Sequence, residues 1–186
     1  FMKKIKVYIF FLIFNLHFNA YASDAEFNEW KKKFQLIALE RGVSLNTIKN
    51  TVGKSIFLKD VIKFDRYQPE FYEDTKTYIS KRTNSKKINS GVKVYNKNKK
   101  VVDKITKEFS VDKNLLLSLM GIETNFGNYL GKMDTVSSLA TLSYDKRRSE
   151  FFTSELITLL ILFDNGTINP NNYLGSWAGA FGNFQF

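Results

Sequence analysis

Cysteine is absent from this 186-residue sequence, and histidine occurs once, at His17. Beyond that position, Ser-His-Asp and Cys-His nucleophile systems are excluded, as are zinc sites built from His or Cys. Disulfides are excluded throughout, and there is no lipobox cysteine to carry a lipid anchor at the N-terminus. Catalysis has to rest on carboxylates, hydroxyls, amides, Lys or Arg. Proline is confined to Pro69 and Pro170; the first disfavours helix at Gln68, and a loop is expected after the second. Alternating strand patterns and internal repeats are missing too. The class expected is mainly α.

Long apolar runs are lacking except near the start. There, Lys3, Lys4 and Lys6 precede an apolar stretch from Val7 to Leu16 and the small-residue site Ala20-Tyr21-Ala22. This order is that of a signal peptide over residues 1–22, cleaved after Ala22. A membrane span is the competing reading, but the run is short of the ~20 residues a span requires. The remainder, 23–186, is 25 basic against 18 acidic residues, a net charge of +7. With 44% hydrophobic and 16% aromatic residues, the chain has material for one globular core rather than two. The basic balance favours an anionic partner, whether nucleic acid, membrane surface or wall polymer.

Helical spacing is clearest over 24–41, where Phe27, Trp30, Phe34, Ile37 and Ala38 share a face, Asp24 caps the start and Gly42 follows the end. A second, short helix is expected over 44–52, and another beyond Pro69. Residues 81–107 read as a largely helical, solvent-facing stretch with one buried stripe including Ile88, Val92, Tyr95, Val101, Val102 and Ile105. A further helix begins near Ser110 or Asp112, and a strong one spans Arg147 to Phe163 with Phe151, Leu156, Leu159, Leu160 and Phe163 apolar. Between these two lies a Gly-bounded turn and a short helix. The segment after Pro170 is rich in Gly and small residues, as a close backbone approach requires. It ends apolar at Gln185-Phe186, as expected of a domain truncated at its C-terminus.

Glu123 is the sharpest candidate for chemistry. With Leu116, Leu119 and Met120 it follows the i, i+3, i+4, i+7 rule, so a carboxylate is aimed along an apolar stripe. Desolvation favours the protonated form and makes such a group a proton donor. The plainer reading is a solvated glutamate in a last helical turn. Ser176, Asn183 and Gln185 can hydrogen-bond a ligand amide or hydroxyl, or simply serve turn chemistry. Arg147 and Arg148 open a helix, where the dipole does not favour positive charge; they read as an anion site or as a solvated pair. Tyr129, Tyr144, Tyr173, Trp177 and Phe181 are either sugar platforms or core.

The stretch "GIETNFGNYLGKMDTVSSLATLSYDKRRSEFFTSEL", followed by "GSWAGAFGNFQF", strongly resembles the membrane-bound lytic murein transglycosylase B family. The resemblance implies a lysozyme-like, mainly helical transglycosylase fold with a groove for peptidoglycan glycan strands. It implies that Glu123 is the catalytic acid and base, cleaving between N-acetylmuramic acid and N-acetylglucosamine with formation of a 1,6-anhydro ring. Ser176 is then similar to a residue contacting the substrate acetamide, Gln185 to a groove glutamine, and Arg147 and Arg148 to an Arg-Arg pair suited to lactate or peptide carboxylates. No cofactor and no metal site is expected within these residues; some family members carry a calcium-binding loop in a part that follows the match to Gln185. The place of action would be the periplasm, peripheral to the wall, with no nucleic-acid partner. The sequence departs from the family pattern at Asp145-Lys146, where Tyr-Pro is usual, and at Phe181-Gly182-Asn183, where Met-Gly-Gln is usual. A non-catalytic peptidoglycan-binding fragment and a muramidase-type hydrolase are the alternative readings.

Overall fold

In the computed structural model, which describes residues 24–67, 73–171 and 173–185, the apolar spacing of the first segment becomes helix α1 (24–40). Phe27, Phe34 and Ala38 are buried along its inner face. Gly42 follows with φ +86°, the left-handed conformation that ends a helix at little steric cost to glycine. The expectations for a signal peptide over 1–22 and for Gln68 lie outside the described residues. The described chain divides into two compact units, one of residues 24–58 and 139–171, the other of residues from 59 to 138 and from 173 to 185.

The first unit contains α1, α2 (Leu45–Asn50), a 3-10 turn (Val52–Lys54) and α8 (Ser149–Asp164), together with the later part of α7 (Thr135–Tyr144). Phe34, Ala38, Val43, Ile48, Val52, Leu142, Leu156 and Leu160 are no more than 2% exposed and form its core. Beside them, the Phe27 ring stacks on Trp30 at 5.4 Å and meets Tyr144 edge-on at 5.5 Å. Such pairs add about 0.5–1.5 kcal/mol beyond the area they bury. Tyr144 donates to Glu26 Oε2 at 3.0 Å, and burial, then that carboxylate, pushes its phenol above the ordinary value.

α8 corrects the expected start at Arg147. It begins at Ser149, with Arg148 as a non-helical cap residue at φ −138°, ψ 36°, so the arginines precede the first turn. Its inward face is also one residue out of phase with expectation at the start: Phe152 is buried, while Phe151 is 57% exposed. The stretch 152, 156, 160, 163 is the true i, i+4, i+8 ridge.

The second unit contains α3 (Lys59–Arg66), α4 (Thr75–Arg82), α5 (Ser85–Phe109), α6 (Lys113–Thr124), the first part of α7, and two strands of two residues each. α3 was not foreseen. α5 is capped by Asn84, whose side chain accepts from Lys87 N at 3.0 Å, and it kinks at Asn98. Its stripe is not buried as expected: only Val102 is buried, while Ile88, Val92, Val101 and Phe109 are each more than half exposed. β1 (Met133–Asp134) pairs antiparallel with β2 (Leu174–Gly175), Met133 opposite Gly175. Strands this short carry no alternation, which is why the sequence predicts none.

α2 and α8 are joined by one carboxylate. Asp164 accepts from Ser44 N at 2.8 Å, Ser44 Oγ at 2.6 Å and Thr47 Oγ1 at 2.6 Å. These bonds, Ser44 first, hold its carboxyl below the ordinary value. A depressed folded value contributes stability above the unfolded pKa of ~3.9, lost as pH falls through the folded one. Asp164→Asn is therefore expected to melt lower than the parent at pH 7. The difference in midpoint should narrow as pH falls below the unfolded pKa of ~3.9, as read by thermal scans in a pH series.

Candidate active site

α6 starts where Asp112 turns its carboxylate onto the free N–H groups of Asn114 and Leu115, at 2.8 and 3.0 Å. The helix that follows does not bury the stripe predicted for it. Gly121 and Thr124 are buried, Leu117 and Met120 are half-buried, and Glu123 is exposed with Leu119 at 41% and Ile122 at 47%. The inward ridge is 117, 120, 121, 124, rotated by roughly one residue, about 100°, from the line through Leu116, Leu119 and Glu123. Counting leucines as core misplaced it, because the residues that fit against the neighbouring structure are a glycine and a threonine. Glu123 consequently stands on the open side of α6, and its carboxylate makes no hydrogen bond or ion pair among the described residues.

The helix is closed by two consecutive left-handed residues, Asn125 (φ 50°) and Phe126 (φ 60°), and by Gly127 (φ 80°). Non-glycine residues enter this region at a cost of about 1–2 kcal/mol each, so the turn needs support. Phe126 supplies part of it by folding back over α6 and α5. A Cβ placed on Gly121 would lie 2.8 Å from its Cζ, and one on Gly91 would lie 3.1 Å away. The ring occupies space that glycine at 121 leaves open, and at 91 it leaves only a tight fit for a methyl.

Thr124 supplies the rest. It is fully buried, and its hydroxyl accepts from Gly127 N at 3.0 Å and lies 2.8 Å from the Asn183 carbonyl. Gly127 in turn approaches the Asn183 side chain so closely that a Cβ would meet Oδ1 at 2.8 Å. Further along the same turn, a Cβ on Gly131 (φ +88°) would sit 2.0 Å from the carbonyl carbon and oxygen of Gly175 and 2.6 Å from Ser176 N. The Gly-bounded turn after the glutamate is thereby pressed against both ends of the small-residue loop.

Within that loop, Ser176 Oγ accepts from Ala178 N and Ala180 N, each at 3.2 Å, while its own N–H donates to the Ala180 carbonyl at 2.7 Å. The hydroxyl shapes the turn and still has a proton to donate. Gln185 (φ 54°) donates from Nε2 to the Gly182 carbonyl at 3.0 Å. Tyr173 and Phe181 meet edge-on at 4.5 Å, and burial raises the Tyr173 phenol. Tyr129, in the turn, is 72% exposed. Glu123, Ser176 and Gln185 thus lie on segments that this unit brings into contact. Arg147 and Arg148 belong to the other unit, ahead of α8, with the Arg148 guanidinium 4.8 Å from the Phe152 ring. Sequence reasoning missed Thr124, Phe126 and Gly91. The available signal was the spacing of Gly121 and Phe126 around a helix end.

A family model described as the transglycosylase SLT domain matches residues 26–186. The chain is 33% identical over 100 residues to membrane-bound lytic murein transglycosylase B of Escherichia coli strain K12, a match covering 53% of this chain and 28% of that protein. It is similar to SltB3 from Pseudomonas aeruginosa, solved in complex with NAG-anhNAM-pentapeptide. There the TM-score is 0.80 at 28% identity, over 86% of this chain and 43% of that one. It is similar also to the Escherichia coli lytic transglycosylase Slt35 in complex with bulgecin A, with TM-score 0.76 at 25% identity, over 86% and 52% of the two chains. The chain therefore spans about half or less of the length of these relatives. The mainly helical, lysozyme-like transglycosylase fold expected from the sequence is the one these structures share.

Two glycines separate backbone freedom from packing. Gly42→Ala meets no atom within 4 Å and should cost only the left-handed strain, about 1–2 kcal/mol. Gly131→Ala drives a methyl into the Gly175 backbone and should be distinctly more destabilising, as measured by denaturant unfolding of both variants.

Proposed function

We propose, from the premise that this chain belongs to the transglycosylase SLT domain family, that its parent protein cleaves peptidoglycan glycan strands by a lytic, non-hydrolytic reaction. The observation that carries the proposal is the contact between the end of α6 and the small-residue loop, made by Thr124 with Asn183 and by Gly131 with Gly175. It supports an assignment in which an unpaired carboxylate and the donors of the loop face one sugar.

In this reading, protonated Glu123 gives its proton to the oxygen bridging N-acetylmuramic acid and N-acetylglucosamine as the bond from that oxygen to C1 breaks. The muramoyl C6 hydroxyl then bonds to C1 and returns its proton to the Glu123 carboxylate. The 1,6-anhydro ring closes, no water is added, and the acid is regenerated. The oxocarbenium-like state needs stabilisation, and the substrate acetamide can provide it from its carbonyl oxygen. Ser176, with both acceptor positions engaged and a proton to spare, is suited to hold that acetamide by donating to it. Gln185 lines the same loop as a second amide contact, and exposed Tyr129 offers a ring face to a sugar. Asp134, the next acid along the chain, accepts from Ser137 N at 2.7 Å and caps α7; a conventional hydrolase would ask a second carboxylate to do chemistry instead. Arg147 and Arg148 are candidates for lactate or stem-peptide carboxylates on their motif alone.

The basic N-terminal sequence supports export, so the place of action is the periplasm and the partner is the wall rather than nucleic acid. Incubating the full-length protein with purified sacculi should release muropeptides lighter by one water than hydrolytic products, as read by mass spectrometry. Exclusively reducing-end products would favour a muramidase, and binding without release would favour a wall-binding protein. Glu123→Gln should lower release by about 10²–10⁴-fold while leaving sacculus binding intact.

A further inference from the structure

We propose that Thr124 is a positioning residue whose hydroxyl fixes the loop around Asn183 and Gln185 relative to the end of the helix bearing Glu123. The proposal rests on the lytic reading only for its catalytic consequence; its structural content stands independently.

A count of donors and acceptors decides what the hydroxyl does. Three partners lie within reach: Gly127 N at 3.0 Å, the Asn183 carbonyl at 2.8 Å and the Met120 carbonyl at 3.1 Å. Gly127 N is a donor and takes a lone pair, which leaves one proton for two carbonyls. The Met120 carbonyl already accepts from the N–H groups of Asn125 and Phe126, so both of its lone pairs are engaged. The proton therefore goes to Asn183. A single fully buried oxygen joins residues 124, 127 and 183, and nothing else polar is needed to tie them.

The bond spans 59 positions of sequence, and its two ends flank the proposed chemistry. On one side is Glu123, the immediate neighbour of Thr124 along α6. On the other is the tight turn of Gly182 to Gln185, closed by Gln185 N donating to the Gly182 carbonyl at 3.4 Å. Loss of the hydroxyl would free Gly127 N–H and the Asn183 carbonyl together. At the Asn183 end of the loop, the turn would then hold through the contact of Gly127 with the Asn183 side chain, while the Gly131–Gly175 end stays in place. Misplacement of reacting groups by about 1 Å can cost up to 10²-fold in rate.

The test compares Thr124→Val, which keeps the shape and removes the hydroxyl, with Thr124→Ser, which keeps the hydroxyl and removes a methyl. Both are made in the full-length protein. Amide hydrogen exchange should speed up at Gly127 and over residues 182–185 in the valine variant by about tenfold or more, with global melting little changed. On a soluble glycan of alternating N-acetylglucosamine and N-acetylmuramic acid, kcat/KM should fall by about tenfold or more in the valine variant. The serine variant should recover to within about threefold of the parent in both measurements. Exchange at Gly127 and 182–185 unchanged in Thr124→Val, or a serine variant as impaired as the valine, would overturn the proposal. Absence of turnover in the parent would instead count against the lytic reading, and the exchange comparison would still decide the role of Thr124.

Discussion

A chain leaving a helix strands carbonyl and N–H groups that must find partners if they are to be buried. After α6 the burden falls on the side chain of Thr124, because Asn125 and Phe126 turn left-handed and no further helical turn follows. The solution is local on one side, at Gly127 N, and distant on the other, at the Asn183 carbonyl. That distant half fixes the Asn183 end of the small-residue loop, as the pairing of β1 with β2 and the approach of Gly131 to Gly175 fix its start. The proposed roles of Ser176 and Gln185 depend on the loop that carries them being held to the end of α6.

Small residues are the other half of the same constraint. Gly91 and Gly121 make room for the Phe126 ring, Gly127 for the Asn183 side chain, and Gly131 for the backbone of Gly175. The approaches at Gly121, Gly127 and Gly131 are closer than a Cβ would tolerate and that at Gly91 is tight, so the unit assembles around this junction by bringing backbone and rings into contact. One consequence is that some aliphatic side chains on α6 are left outside: Leu115, Leu119 and Ile122 are each more than 40% exposed. The first unit works in the opposite manner, with Phe34, Leu142, Leu156 and Leu160 filling a conventional core.

That contrast explains which parts could be read in advance. In the first unit α1 and most of α8 follow ordinary helical periodicity, Gly42 follows the end of α1 and Ser44 caps the start of α2. α5 and α6 are helices as the same signals predict: Asp112 caps α6 at the expected start, whereas the stretch expected over 81–107 is divided, with 81 and 82 ending α4 and Asn84 capping α5. What failed was the choice of inward face. Periodicity ranks leucine above glycine and threonine, and so it selected Leu119 and Glu123 where the packing uses Gly121 and Thr124. The buried apolar setting expected for Glu123 is not the one it has: it stands exposed on the open side of α6. The long-range pairing of β1 with β2 was invisible because two residues carry no pattern, and the Thr124–Asn183 bond because nothing local announces a partner 59 residues away.

The position of Glu123 then needs a different justification, and the other acids provide it. Asp74, Asp112 and Asp134 each accept from backbone N–H groups near helix starts, and Asp164 ties α2 to α8. Glu29 and Glu73 pair with neighbouring lysines or arginine. These carboxylates are committed to holding the fold, and protonating them would release something. Glu123 holds nothing together among the described residues, a freedom it shares with Glu40, Glu108, Glu150 and Glu155, but it sits beside the junction of α6 with the small-residue loop. A group with no structural duty, placed on a rigid turn, can change protonation without disturbing the structure that places it. Cycling between acid and base asks for that combination: a fixed backbone and an uncommitted carboxyl.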